Sequence, residues 1–117
     1  MDTHIEDDPT GQQVEAAVAT LKLLADPTRL RVLWSLLHGE HSVGPLAEHV
    51  GVPAAALSQH LAKLRLAQLV TTRREGNRIY YVAGAEHVRR LVEQALFHAD
   101  HVAGVGQPHA APAAARA

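Results

Sequence analysis

The 117-residue sequence contains no cysteine and very few aromatics: one Trp, two Tyr and one Phe. The missing thiols exclude disulfides, thiolate metal sites, a Cys nucleophile and thiol redox sensing, so any metal must be held by nitrogen and oxygen. Long apolar runs are also lacking. Stretches such as Val32-Leu33-Trp34 fall far short of the roughly 18 residues needed to cross a bilayer, which argues against a membrane partner. The first fifteen residues hold five acids (Asp2, Glu6, Asp7, Asp8, Glu15) and no Lys or Arg, the reverse of a secretion signal, so a cytoplasmic location is expected.

What is present is ordinary globular composition, 47% hydrophobic and 20% charged, about the size of one domain. The net charge of -1 hides an asymmetry. Lys63, Arg65, Arg73, Arg74, Arg78, Arg89 and Arg90 face only Glu75 and Glu86 between residues 60 and 90, a local excess suited to a polyanion. Residues 1–11 read as an acidic mobile tail and 104–117 as a flexible Gly/Pro/Ala tail, leaving 12–103 as the folded domain.

Within that domain, Val14, Val18, Leu21 and Leu24 recur at helical spacing and give a first amphipathic helix. Asp26 caps a second helix with Pro27 at its first position, Leu30, Leu33 and Leu37 inward, and Gly39 as its stop. A third, short helix spans Ser42 to Val50, with Ser42 as cap and Gly51 beyond its end. After a brief turn a fourth, about Ala54 to Gln68, buries Leu57, Leu61 and Leu64. Two short helices joined by a Gly-containing turn suggest a helix-turn-helix. Leu69–Arg74 and Arg78–Val82 flank Glu75-Gly76-Asn77 as a hairpin, read as a wing. Ala85 to about Val102 forms a last helix with Val88, Leu91, Val92, Ala95 and Leu96 on one stripe. The expected fold is mainly α with a β-hairpin wing (α+β), a winged helix-turn-helix dimerised through terminal helices.

A recognition helix needs hydrogen-bonding side chains near its start and bases further along to hold phosphates. The fourth helix has that order: Ser58, Gln59 and His60 follow three alanines, and Lys63 and Arg65 come next. Gln bonds adenine bidentately and Ser bonds either base type. Arg73, Arg74 and Arg78 stand near the hairpin turn, where they reach a minor groove or the phosphate backbone. His60 has a competing reading as a residue packed against the turn.

Nine histidines occur, several of them late in the chain. His98 and His101 are three apart on one helix and could share an ion. His87 shares their face, but at 1.5 Å per residue it lies ~16 Å from His98, so one ion cannot touch both within one helix. Antiparallel pairing of two such helices would bring His87 of one copy opposite His98 and His101 of the other, making two equivalent sites in a homodimer. His109 follows His101 by eight residues of Gly/Pro-containing chain spanning roughly 15 Å and could fold back as a ligand. Additional nitrogen and oxygen donors from His109, Asp100 or His4 would favour nickel or cobalt over zinc. Asp100, about 100° around the helix from His101, is the weaker donor by geometry. His38, His41 and His49 lack a spacing that closes a site and read as surface residues.

The segments Leu24-Ala25-Asp26-Pro27-Thr28-Arg29-Leu30, Leu57-Ser58-Gln59-His60-Leu61-Ala62-Lys63-Leu64 and Arg74-Glu75-Gly76-Asn77-Arg78 together resemble the winged-helix ArsR/SmtB family of dimeric metal-responsive repressors, over about residues 14 to 103. The last helix is most similar to the nickel/cobalt-sensing, KmtR/NmtR-like branch. In that comparison His87, Asp100, His101 and His109 match ligand positions of one pattern and His98 a ligand of the other; Ala85 stands where the family's zinc-type pattern has Asp. The resemblance implies a homodimer that binds double-stranded operator DNA without metal and is released by nickel or cobalt at an intersubunit site. The alternatives are zinc as the inducer, or a winged-helix regulator with no metal response. A zinc hydrolase built on the same histidines lacks a general base and a phosphate loop, so no enzyme is expected. The third helix has no Cys, which argues against thiolate sensing of arsenic, cadmium or lead.

Overall fold

In a computed structural model the structure is described over residues 7–104. Five helices and one hairpin run in the order α1 (Gly11–Leu24), α2 (Pro27–Leu37), α3 (Val43–Val50), α4 (Ala54–Leu66), β1 (Thr71–Glu75), β2 (Arg78–Val82) and α5 (Glu86–Gly104). The order is that of a winged helix-turn-helix. Two compact units divide the chain, one through Ala83 and one from Gly84. No helix among the described residues is long and apolar enough to cross a membrane.

Local chemistry sets the helix ends. The α1 helix starts at Gly11, ahead of its apolar pattern, because Thr10 and Gln13 form a reciprocal capping box: Gln13 N–H donates to Thr10 Oγ1 at 3.0 Å and Thr10 N–H to Gln13 Oε1 at 2.8 Å. Asp26 caps α2 by accepting from Arg29 N–H at 2.9 Å, with Pro27 in the first turn. The same Arg29 donates from Nη1 to the Leu23 carbonyl at 3.2 Å, tying the end of α1 to the start of α2. The α2 helix stops at Leu37 with His38 as its C-cap, ahead of Gly39. Ser42 occupies the N-cap position of α3 but its side chain makes no capping bond. Gly51 ends α3 in the left-handed region (φ 78°), its N–H donating to the Ala47 carbonyl at 2.8 Å.

The core of the first unit is the meeting of three helices. Val32, Leu33, Leu36 and Leu37 of α2, Leu46 and Ala47 of α3, and Leu57, Leu61 and Leu64 of α4 are buried, joined by Leu69 and Val70 after α4. The spacing of four and three in α4 puts its leucines on one face and leaves the opposite face in solvent. The α4 helix ends at Leu66, short of the expected Gln68, and Gln68 itself takes a positive φ of 64° in the turn to the hairpin.

Strands β1 and β2 pair antiparallel with Thr71 opposite Val82 and Glu75 opposite Arg78, leaving Gly76 and Asn77 as a two-residue turn. Of these two only Gly76 has positive φ (64°), the arrangement of a type II′ turn, whose twist matches that of the strands. His41 extends the pairing: its N–H donates to the Tyr81 carbonyl at 3.2 Å and Tyr81 N–H donates back at 2.8 Å, which fastens the hairpin to the segment before α3.

The two terminal helices are different. No residue of α1 is buried, and its apolar positions Val14, Val18 and Leu21 are 45%, 42% and 53% exposed. In α5 only Val88 and Val92 are buried; Leu91 and Leu96 of the expected stripe are exposed, as are Phe97 and Val102. Both helices therefore carry apolar faces that the described chain leaves uncovered.

Candidate functional site

The first turn of α4 begins after Pro53, which offers no side-chain cap, so the leading N–H groups point outward from a helix start made of Ala54, Ala55 and Ala56. Ser58 and Gln59 follow on the exposed face, and Lys63 and Arg65 lie in the last turn, also exposed. This is a small-residue entry, two hydrogen-bonding side chains and then cations, all on the exposed surface of a single helix. His60 departs from it. The ring is half-buried and near enough to Asp26 for their charges to interact, which places it towards the α2 cap. Asp26 is held below the usual carboxylate range chiefly by the Arg29 backbone N–H it accepts, with the Arg29 and His60 charges adding to the effect against partial desolvation.

On the hairpin the three arginines differ. Arg74 and Arg78 are exposed. Arg73 is exposed as well but is engaged by its neighbours on the surface: Nε donates to Glu40 Oε1 at 2.8 Å, Nη1 donates to Glu75 Oε1 at 3.0 Å, and the guanidinium lies 4.8 Å from the centroid of Tyr80, its cross-strand partner. The Glu40 bond, then the Glu75 bond, holds its charge in place. Nothing local in the sequence announces the partner Glu40, 33 residues earlier. An open groove of about 490 Å³ runs between the start of α3 (Ser42, Val43, Pro45) and the hairpin turn (Asn77, Arg78, Ile79).

His87, His98 and His101 all lie exposed on α5, as does Asp100. The His101 ring stacks on Phe97 at 6.4 Å between centroids. Among the described residues no three His, Asp or Glu side chains gather as a metal ion would need. Among the described residues the α5 donors thus form no three-ligand site, because His87 lies ~16 Å along the helix from His98. His4 and His109 lie outside the described residues.

Two further histidines come together that spacing had not joined. The rings of His41, just before α3, and His49, in its last turn, stack nearly parallel (8°) at 6.4 Å between centroids. His38 is occupied elsewhere, with Nδ1 2.8 Å from the Trp34 carbonyl oxygen and its ring against the Trp34 indole.

Residues 26–72 match the family model for bacterial regulatory proteins of the arsR family. The chain is 56% identical over 96 residues to the HTH-type transcriptional regulator KmtR of Mycobacterium tuberculosis, covering 82% of this chain and 73% of that protein. It is 39% identical over 95 residues to the HTH-type transcriptional regulator NmtR of the same species, covering 80% and 79% respectively. Among solved structures, the homodimeric winged helix-turn-helix DNA-binding domain of a possible ArsR-family transcriptional regulator from Mycobacterium bovis superposes with a TM-score of 0.74. That match is 29% identical in sequence and covers 94% of this chain and 99% of the other. These proteins are DNA-binding transcriptional regulators, not enzymes.

Proposed function

The chain belongs to the arsR family of bacterial regulatory proteins, and from that premise we propose that it is a cytoplasmic, homodimeric repressor that holds operator DNA when metal-free and is released by nickel or cobalt. The exposed series Ser58, Gln59, Lys63 and Arg65 on α4 supports DNA reading by that helix, with Ser58 and Gln59 at base edges and Lys63 and Arg65 on phosphates. Arg74 and Arg78 serve as the wing's phosphate contacts. Arg73, paired with Glu40 on the exposed surface, and the half-buried His60 beside Asp26 complete the DNA-binding set.

The observation that carries the metal reading is the exposure of His87, His98 and His101 on one helix that cannot close a site alone. Three imidazoles suit nickel, cobalt or zinc. Two copies of α5 side by side would supply a full set, with Asp100 and His109 adding oxygen and nitrogen donors that favour nickel or cobalt. Metal must then bind the DNA-free dimer more tightly than the DNA-bound one, and by linkage DNA weakens metal equally, typically by ~1–3 kcal/mol.

The test is fluorescence anisotropy of the protein on DNA upstream of its own gene at fixed salt, first with chelator, then with nickel, cobalt or zinc. Tight binding in chelator that nickel or cobalt releases is the expected result. Release by zinc alone would reassign the inducer. Binding indifferent to all three metals would leave a DNA-binding regulator without metal response.

A further inference from the structure

We infer that His41 and His49 form a second metal site, separate from α5, which takes a late first-row divalent cation with water completing its shell. Both donors lie in the first compact unit, at the two ends of α3. An ion 2.0–2.1 Å from one nitrogen of each ring sets ring centroids roughly 5 Å apart at a tetrahedral angle and about 6 Å apart at a wide one. The observed 6.4 Å is close to the upper figure; because the ring planes are nearly parallel (8°) and an imidazole lone pair lies in its ring plane, the exposed His49 must also swing its ring until its nitrogen points at the ion that His41 faces.

The fold brings the two rings within reach of one ion before any ion binds. His41 is half-buried and its backbone is fixed by the two hydrogen bonds to Tyr81. His49 sits in the last turn of α3, and helical side chains lean towards the helix N-terminus, the direction in which His41 lies. Among the described residues each ring contacts the other ring. The other two described histidines of the unit are engaged, His38 with Trp34 and His60 near Asp26. The exposed side of the pair leaves room for water ligands. Two imidazoles plus water suit copper(II) best in the divalent series, with zinc and nickel following.

Occupancy would tie the far end of α3 to the strand that carries the wing, because His41 is already paired with Tyr81. Binding to the folded state alone then raises the unfolding temperature as ion is added.

The experiment uses the full chain with His4, His87, His98, His101 and His109 all replaced by alanine, so that its outcome is independent of the α5 reading. Copper(II) is titrated by equilibrium dialysis, and the bound ion is examined by electron paramagnetic resonance. We expect saturable binding of one ion per chain with coupling to two nitrogens. His49→Gln, at an exposed position and checked for native circular dichroism, should weaken binding by about 100-fold or more, since loss of a ligand exceeds the roughly 10–100-fold loss that outer-shell changes cause. His41→Ala should do the same, and His38→Ala should leave binding intact. No saturable copper in the five-fold variant, or copper affinity unchanged by His49→Gln, overturns the site.

Discussion

Arg73 and Arg74 are neighbours in sequence with different surroundings. Both are exposed, but Arg73 is paired with Glu40 and Glu75 and lies over Tyr80, whereas Arg74 alternates to the other side of the strand. A cation that neutralises a DNA phosphate releases condensed counterions, so its removal flattens the dependence of log K on log salt. Replacing Arg74 or Arg78 with alanine should reduce that slope by about 1 each, measured by anisotropy across a salt series. Arg73→Ala should change the slope much less and instead lower the unfolding temperature, because it frees Glu40 from the hairpin. An equal slope change for Arg73 would mean that the ion pairs yield to phosphate. The distinction was not legible from sequence. Three arginines around a turn look alike until a loop residue 33 positions away closes on one of them, and the His41–His49 stack depends in the same way on the chain returning beside α3.

Elements were far more legible, because their signals are local. Asp26-Pro27, Gly51 and the 57/61/64 leucines of α4 each carry their own physical reason, and the helices and hairpin fall where those reasons put them. The exceptions are local too: the Thr10–Gln13 box was readable as T-x-x-Q but lies outside the apolar pattern used to find α1, and Ser42 sits at a cap position without making the bond. The α2 cap carries a pH prediction. Asp26 has a lowered carboxyl pKa when folded, against an ordinary value of about 3.9 unfolded. Its contribution is therefore present above the unfolded value and is lost as pH falls through the lower folded one. Asn retains N-cap geometry without the charge, so the urea midpoint of Asp26→Asn should fall less steeply below about pH 4 than that of the wild type. Parallel profiles would remove Asp26 from the acid response. The α4 core face carries a larger effect: Leu61 is fully buried, and Leu61→Ala should cost ~2–5 kcal/mol in urea unfolding. A cost under about 1 kcal/mol would mean that the three-helix core collapses around the missing side chain.

For the whole molecule, the informative fact is apolar surface that one chain leaves in water. A helix with Val14, Val18 and Leu21 at helical spacing and no buried residue has an amphipathic face without a function in the isolated chain, and Phe97 and Val102 repeat the situation on α5. Exposed apolar faces of this kind mark association surfaces, and a two-fold partner is the economical way to cover the same face on both copies. Two copies would also present two α4 helices, as reading two half-sites requires. Replacing Val18 and Leu21 together with glutamate places charge on that face while leaving the buried core of the first unit untouched. The double variant should sediment at the 12.6 kDa of one chain where the wild type sediments at twice that mass, with its helical circular dichroism retained. Operator affinity should fall with it, because each half-site would have to be bound independently. A variant that stays dimeric would assign the association to α5 alone, whereas a wild type that is itself monomeric would leave the α1 face to a different partner and remove the shared metal site with it.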